Sequence, residues 1–128
     1  MESRAVLRNV WISPQKARLV ANMIRGKSAS EAITILTYTR KKAAAIILKL
    51  LESAIANAEH EAEQKDTYLD VDELVVSTIF VDKAQAHRRF RPRARGMYNR
   101  VKKHTSHITI KLQTVAFEDD QTLAQVEE

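Results

Sequence analysis

Six arginines lie close together between positions 88 and 100, and their side chains are suited to binding phosphate. They are Arg88, Arg89, Arg91, Arg93, Arg95 and Arg100. Each guanidinium is planar and permanently charged, and it can donate two parallel hydrogen bonds to a phosphate or stack on a base. Residues 83–111 contain ten Lys or Arg and no Asp or Glu, which gives this segment a charge of +10. A local field of this size attracts a polyanion.

The remaining segments carry smaller charges of both signs. In this chain of 128 residues and net charge +5, residues 1–27 contribute +5, while residues 28–82 and residues 112–128 contribute −5 each. The composition is 45% apolar and 29% charged, which is typical of one globular domain. There is no cysteine, so disulfides, thiolate catalysis and cysteine-ligated zinc are excluded.

Groups that could perform catalysis or bind a metal do not converge in the sequence. His104 and His107 lie three residues apart on a predicted strand, so their side chains point to opposite faces and do not suit one metal ion. No apolar run is long enough to cross a membrane, and the N-terminus lacks the apolar core of a signal peptide. We therefore expect a cytoplasmic protein that is not an enzyme and uses no cofactor, metal, small-molecule substrate or membrane.

The basic segment lies between two stretches with strand propensity, Leu74–Val81 and Thr105–Val115. Residues 83–104 have too few apolar side chains to form a core, so we predict that the strands continue outward as a two-stranded ribbon that bends near Phe90–Gly96. An isolated hairpin is marginally stable in water, and like charges weaken it further. The ribbon therefore requires an external counter-charge. A solvated tail or a localisation signal is the alternative interpretation of such a charge run.

Three helices are predicted before the basic segment. Ser13-Pro14 is typical of a helix start and Gly26 of its end. Ser28 and Glu31 have capping-box spacing and predict a second helix. Thr39 is predicted to cap a third, which runs without a breaker over residues 41–63 and keeps one face apolar.

The strand pattern completes the expected fold. Residues 4–11 supply a third strand, and Leu74–Val81, with apolar residues on both faces, predicts a buried strand. The expected architecture is α+β, with three helices packed on a small antiparallel sheet from which a long β-hairpin protrudes. The hairpin is placed at about residues 74–112 and its tip at about residues 86–96.

A second basic cluster, Arg40-Lys41-Lys42, lies at the predicted start of the long helix. The helix macrodipole disfavours cations at this end. A phosphate bound jointly by the helix amides and the lysines accounts for the pattern, and three solvated side chains are the alternative. The candidate RNA-binding residues outside the arginine run are Ser13, Lys16, Arg18, Arg25, Lys27, Arg40, Lys41, Lys42, Lys102, Lys103 and His104. RNA is favoured over DNA because no recognition helix or zinc finger is apparent.

Several segments together resemble the bacterial large-subunit ribosomal protein L twenty-two family. The matching segments are residues 13–21 (SPQKARLVA), 24–27 (IRGK), 41–44 (KKAA), 52–60 (ESAIANAEH), 79–82 (IFVD), 89–96 (RFRPRARG) and 100–110 (RVKKHTSHITI). The resemblance covers about residues 3–112, and the combination is highly specific to the family.

The resemblance implies a structural protein of the large ribosomal subunit that binds large-subunit ribosomal RNA and supports subunit assembly. The hairpin of such a protein penetrates the RNA, and its tip lines the nascent-peptide exit tunnel. By position, the tunnel-lining residues are His87, Arg88, Arg89, Phe90 and Arg91. The implied partners are ribosomal RNA, neighbouring large-subunit proteins and the nascent polypeptide. A freestanding RNA- or DNA-binding protein that uses the basic hairpin is the alternative.

The chain departs from the family pattern in two places. Ala84-Gln85 stands where family members often have Gly-Pro, which leaves the bend before the tip open. Beyond the last strand, residues 113–128 form an acidic extension. We therefore expect one domain over residues 1–112, followed by a disordered tail.

Overall fold

The computed structural model describes residues 2–114 of the chain, which form three helices and five strands. The helices are α1 (Pro14–Ile24), α2 (Ala29–Tyr38) and α3 (Lys42–Gln64), and the strands are β1 (Glu2–Val10), β2 (Leu74–Lys83), β3 (His87–Pro92), β4 (Tyr98–Lys103) and β5 (Ser106–Thr114). Short 3-10 turns occur at Val71–Glu73 and Ala94–Gly96. The predicted α+β fold is confirmed.

The strands form two separate antiparallel sheets. The larger has the order β1-β5-β2, so the last strand in sequence is the central one. The smaller consists of β3 and β4 alone and forms the distal part of the hairpin. All three helices pack on one face of the larger sheet, and its other face has no helix over it among residues 2–114.

The core lies between α3 and the inner face of the larger sheet. Ile108, Ile110 and Leu112 of β5 are fully buried and face Ile47 and Leu51 of α3, which are also fully buried. Burying each of these side chains contributes about 1.5–3 kcal/mol. The burial of these three β5 side chains on one face accounts for the alternation of apolar and polar residues in the sequence of β5.

Small side chains bring α3 close to the sheet. Ala54 and Ala58 are fully buried on its inner face. The Ser3 hydroxyl of β1 donates a hydrogen bond of 3.1 Å to the Ala54 carbonyl. Because this contact joins strand to helix backbone, a larger residue at position 54 would force the two apart.

The predicted caps of the first two helices are confirmed, and that of the third is wrong. The hydroxyls of Ser13 and Ser28 accept hydrogen bonds from the backbone amides of Lys16 and Glu31. Thr39 does not cap α3. Its hydroxyl donates to the Ile35 carbonyl at the end of α2, and α3 begins after Lys41 without a side-chain cap. A Thr side chain can return to the carbonyl four residues earlier, and here that bond forms instead.

The prediction of a strand buried on both faces is wrong for β2, because this strand lies at an edge of the sheet. Its inner face is buried through Val76 and Ile79, but Phe80 on the outer face is 38% exposed. A bulge between Val76 and Thr78 shifts the alternation, which explains why apolar residues occur on both sides of the sequence pattern.

The end of β5 reaches beyond the predicted domain boundary. Gln113 pairs with Glu2 of β1, and Thr114 pairs with Leu74 of β2. These two residues therefore belong to the sheet. The rest of the predicted tail, residues 115–128, lies outside the described residues.

Candidate nucleic-acid interface

The distal hairpin is closed by a three-residue loop. The Arg93 amide donates to the Met97 carbonyl at 2.7 Å, and the Met97 amide donates to the Ala94 carbonyl at 3.4 Å. Arg95 and Gly96 both have left-handed backbone angles, with φ of 63° and 68°. Glycine adopts this conformation freely, whereas arginine does so at a cost of about 1–2 kcal/mol. The loop thus holds a strained arginine at the far end of the molecule.

Cations face one another across the hairpin. In the β3–β4 register, Arg88 is opposite Lys102. Like charges directly opposite in an antiparallel pair destabilise it. The pairing that forms the hairpin therefore brings together groups that repel one another in the protein alone.

The hairpin cations lack acidic partners. Over the described range 2–114, no ion pair involves them, and their one side-chain hydrogen bond runs from Arg89 Nη1 to the neighbouring Arg88 carbonyl at 2.9 Å. The arginine and lysine side chains of β3, the loop and β4 are all exposed. Phe90 and Tyr98 are also exposed, at 65% and 70%. The donors and the aromatic faces of this hairpin are thus free to bind an external ligand.

His87 lies at the base of the distal hairpin, which corrects its predicted place at the tip. The turn is at Arg93–Met97, and His87 is the first residue of β3. Its imidazole stacks on the indole of Trp11, with ring centroids 4.7 Å apart and planes inclined by 24°. The sequence carries no signal for this contact, because 75 residues separate the two rings. Trp11 therefore packs on the surface of the body, against the base of the hairpin.

A short break separates the hairpin from the body. Between β2 and β3, the Ala84 amide donates to the Thr105 carbonyl at 3.0 Å. The Thr105 hydroxyl donates to the Gln85 carbonyl at 2.6 Å, and Thr105 itself is 1% exposed. The predicted continuous ribbon is therefore interrupted at the position where the sequence departs from the Gly-Pro pattern. Thr105 holds the two sides of the break together.

The N-termini of α1 and α3 line one groove, which also includes Trp11. The groove has a volume of about 520 Å³ and is lined by Trp11, Ile12, Ser13, Lys16, Leu19, Lys41, Lys42 and Ala43. Lys42 Nζ donates to the Trp11 carbonyl at 3.2 Å, which keeps its charge at the rim. The structure thus brings together four of the predicted RNA-binding residues. Arg40 is exposed nearby but does not line the groove.

Two other predicted RNA-binding residues have a structural role that the sequence did not reveal. Arg18 donates from Nε and Nη2 to the Val81 carbonyl, at 3.2 and 2.9 Å. Arg25 donates to the Ile79 carbonyl at 2.8 Å. Both carbonyls belong to the free edge of β2, which these side chains cover. Their contact with RNA stays a prediction.

The loop after α1 covers the same edge further along. The Gly26 amide donates to the Val76 carbonyl at 3.0 Å, and the Val76 amide donates to the Lys27 carbonyl at 2.9 Å. Lys27 therefore acts here through its backbone, while its side chain is exposed. Three carbonyls on the edge of β2, those of Val76, Ile79 and Val81, therefore have partners in α1 or in the loop that follows it.

The described residues contain no cluster that resembles a metal centre. Residues 2–114 have no group of three or more His, Asp or Glu that could hold a metal ion. His107 Nδ1 accepts the Asn9 amide at 3.1 Å, and His60 contacts Gln64 at 3.2 Å. No helix in this range is long and apolar enough to cross a membrane.

The comparison with protein families agrees with this geometry. The model of the family described as Ribosomal protein L22p/L17e matches residues 5–113, which include the body, both sheets and the whole hairpin. The chain belongs to this family. It is a large-subunit ribosomal protein.

Proposed function

We propose that the chain binds large-subunit ribosomal RNA through its distal hairpin and through the groove between α1 and α3, and thereby supports assembly of the subunit. The observation that carries this proposal is the row of hairpin cations without acidic partners over residues 2–114. Phosphates bound between opposed cations such as Arg88 and Lys102 would convert a repulsive pair into an attractive site.

The groove supplies a second contact of different geometry. α3 begins at this groove without a side-chain cap, and Lys16, Lys41 and Lys42 add positive charge. Backbone amides, the macrodipole and lysines together suit a phosphate. Because the groove lies beside the Trp11–His87 stack, one RNA segment that contacts both surfaces would fix the hairpin relative to the body.

We further propose that the hairpin lines the nascent-peptide exit tunnel in the assembled ribosome. The family resemblance assigns this role to His87, Arg88, Arg89, Phe90 and Arg91. The geometry supports a contribution from the loop as well, because Arg95 and Met97 are the exposed residues furthest from the junction with the body. The partners are then ribosomal RNA, neighbouring large-subunit proteins and the nascent chain, in the cytoplasm.

Co-sedimentation tests the proposed function directly. The full chain, expressed in cells, should remain with the large subunit through a high-salt wash. A variant with Arg88, Arg89 and Arg91 all replaced by glutamine should be lost in that wash. A control variant with Lys49 and Lys65 replaced by glutamine, both exposed on α3 or at its end, should be retained. Recovery of the unaltered chain as a soluble monomer would favour the freestanding nucleic-acid-binding alternative.

A further inference from the structure

The outer face of the β1-β5-β2 sheet carries a set of side chains that the hairpin and groove do not explain. Arg4 of β1 and Lys111 of β5 are direct cross-strand neighbours, and both point away from the core. Like charges in this position repel one another. Neither side chain has an acidic partner within residues 2–114. An anion bound on this face would relieve the repulsion.

An aromatic ring lies in the next row of the same face. Phe80 of β2 is opposite Thr109 of β5, which is opposite Val6 of β1. Phe80 is 38% exposed although it belongs to a strand whose inner side chains are buried. A partly exposed aromatic ring on the face of a sheet is the platform on which RNA-binding sheets stack unpaired bases.

A groove of about 390 Å³ joins Arg4 and Phe80, whereas Lys111 lies outside its lining. Arg4, Arg8, Phe80, Asp82, His107 and Thr109 are among the side chains that line it. Arg4 and Arg8 lie four residues apart on β1, a separation of about 13 Å along the strand. The aromatic ring and the one acid of the groove lie across the sheet from them, on β2. The groove therefore has a cationic side and an aromatic, acidic side.

The acid indicates which part of a nucleic acid fits this groove. Asp82 is opposite His107 in the β2–β5 register and makes no ion pair over the described residues. A carboxylate repels phosphate but accepts hydrogen bonds from the exocyclic amino group of a base. A row of phosphates alone would favour a groove lined only by cations. One nucleotide with its base on the β2 side and its phosphates on the β1 side satisfies all the groups.

We propose that the outer face of this sheet binds a single unstacked nucleotide of RNA. Its base stacks on Phe80 and donates to Asp82, while Arg4 and Arg8 bind the flanking phosphates. This inference rests on the proposed RNA-binding function and adds to it a second, base-contacting surface on the body. Because only a base that has left its helix can lay its face on an aromatic side chain, the occupant is an unpaired base.

The test uses the full chain and pentaadenylate, a single-stranded probe with amino-bearing bases. Fluorescence anisotropy measures its dissociation constant, and ultraviolet crosslinking with mass spectrometry locates the bound residues. Phe80→Leu should weaken binding about fivefold or more, because stacking is removed while the apolar packing is kept. Phe80→Tyr should bind like the unaltered chain. Replacing Arg4 and Arg8 with glutamine should also weaken binding, whereas the control Lys65→Gln should not.

A hairpin variant separates this inference from the function on which it rests. With Arg88, Arg89 and Arg91 replaced by alanine, crosslinks to the peptide containing Phe80 should persist. Unchanged affinity in Phe80→Leu, or crosslinks confined to residues 87–103, would overturn the sheet-face site and leave the hairpin function standing. Retention on ribosomes despite the hairpin substitutions would contradict the hairpin function instead. Circular dichroism establishes that each variant is folded.

Discussion

The indole of Trp11 stacks on the imidazole of His87 at a centroid distance of 4.7 Å, and this contact joins the body to the first residue of the distal hairpin. Trp11 stands just before α1, and its carbonyl also accepts a hydrogen bond from Lys42 at the start of α3. The base of the hairpin is therefore attached to the point where two helices begin. Protein contacts therefore set the direction in which the hairpin leaves the body.

Tryptophan fluorescence can report this contact, because Trp11 is the only tryptophan in the chain. His87→Ala should increase quenching by acrylamide and shift the emission to longer wavelength, since one face of the indole becomes open to water. His60→Ala, remote in sequence on α3, is the matched control and should leave both quantities unchanged. Equal quenching in the two variants would show that the rings do not stack in solution.

Thr105 should stabilise the backbone at the break between the body and the distal hairpin. Thr105→Val keeps the shape of the side chain but removes the hydroxyl that donates to the Gln85 carbonyl. We expect a decrease of about 0.5–1.5 kcal/mol in the free energy of unfolding and faster hydrogen exchange at the Ala84 amide. Thr105→Ser retains the donor and should behave more like the unaltered chain. Slow exchange at Ala84 in the valine variant would contradict the role.

Salt dependence should identify the hairpin as an electrostatic binding surface. Replacing Arg88, Arg89 and Arg91 with alanine removes cations that would neutralise phosphates. The slope of log Kobs against log salt for ribosomal RNA should then fall by about 0.7–0.9 for each phosphate that the variant no longer neutralises. Lys65→Ala should leave the slope unchanged. A full slope in the triple variant would place the phosphate-binding residues elsewhere on the protein.

Substitutions of Arg18 and Lys16, which both lie in α1, should affect different properties: the stability of the fold and the affinity for RNA. Arg18→Ala removes the two hydrogen bonds to the Val81 carbonyl and should lower the free energy of unfolding by about 1 kcal/mol. Lys16 lines the groove, and its side chain is exposed. Lys16→Ala should therefore weaken RNA binding without changing the melting temperature. Denaturant titration and RNA affinity, measured on both variants, check the pair; a destabilised Lys16→Ala would argue against this division.

In the free protein, amide hydrogen exchange should be slow in the body and fast in the distal hairpin, with the change at the break between β2 and β3. The amides of α3 belong to the buried core and should exchange slowest. Residues 87–103 of the distal hairpin have few buried contacts and include the opposed cations Arg88 and Lys102, so they should exchange rapidly until RNA is added. Protection of the hairpin in the absence of RNA that equals that of α3 would show that protein packing alone holds it.

The sequence was sufficient to predict those elements whose boundaries are marked by neighbouring residues. Ser13, Ser28 and Gly26 mark helix ends by their own chemistry, and the alternation in β5 follows from one buried face. The basic hairpin was predictable for a similar reason, because a segment so rich in charge cannot form a core. The wrong predictions have a different origin. Thr39 had two possible backbone partners, and nothing near it in sequence decides between them.

Contacts between segments that are distant in the sequence could not be predicted from the sequence. Nothing in the sequence pairs His87 with Trp11, and a guanidinium on an exposed helix face gives the same pattern whether it binds phosphate or a strand carbonyl. Arg18 and Arg25 were therefore predicted only as ligands for RNA. The groove between α1 and α3 was predictable only in part. The basic cluster at residues 40–42 can be recognised in the sequence, but its position beside Ser13 and Lys16 depends on how the two helices pack.

The position of β5 in the centre of its sheet has a consequence for the order in which the protein can be built during translation. β1 is synthesised first, yet its only partner strand within residues 2–114 is the last one to leave the ribosome that makes it, with Glu2 finally pairing with Gln113. The larger sheet therefore cannot form until the whole distal hairpin has been synthesised. A truncated chain that lacks β5 would leave both β1 and β2 without a neighbouring strand, so we expect such a chain not to form the larger sheet.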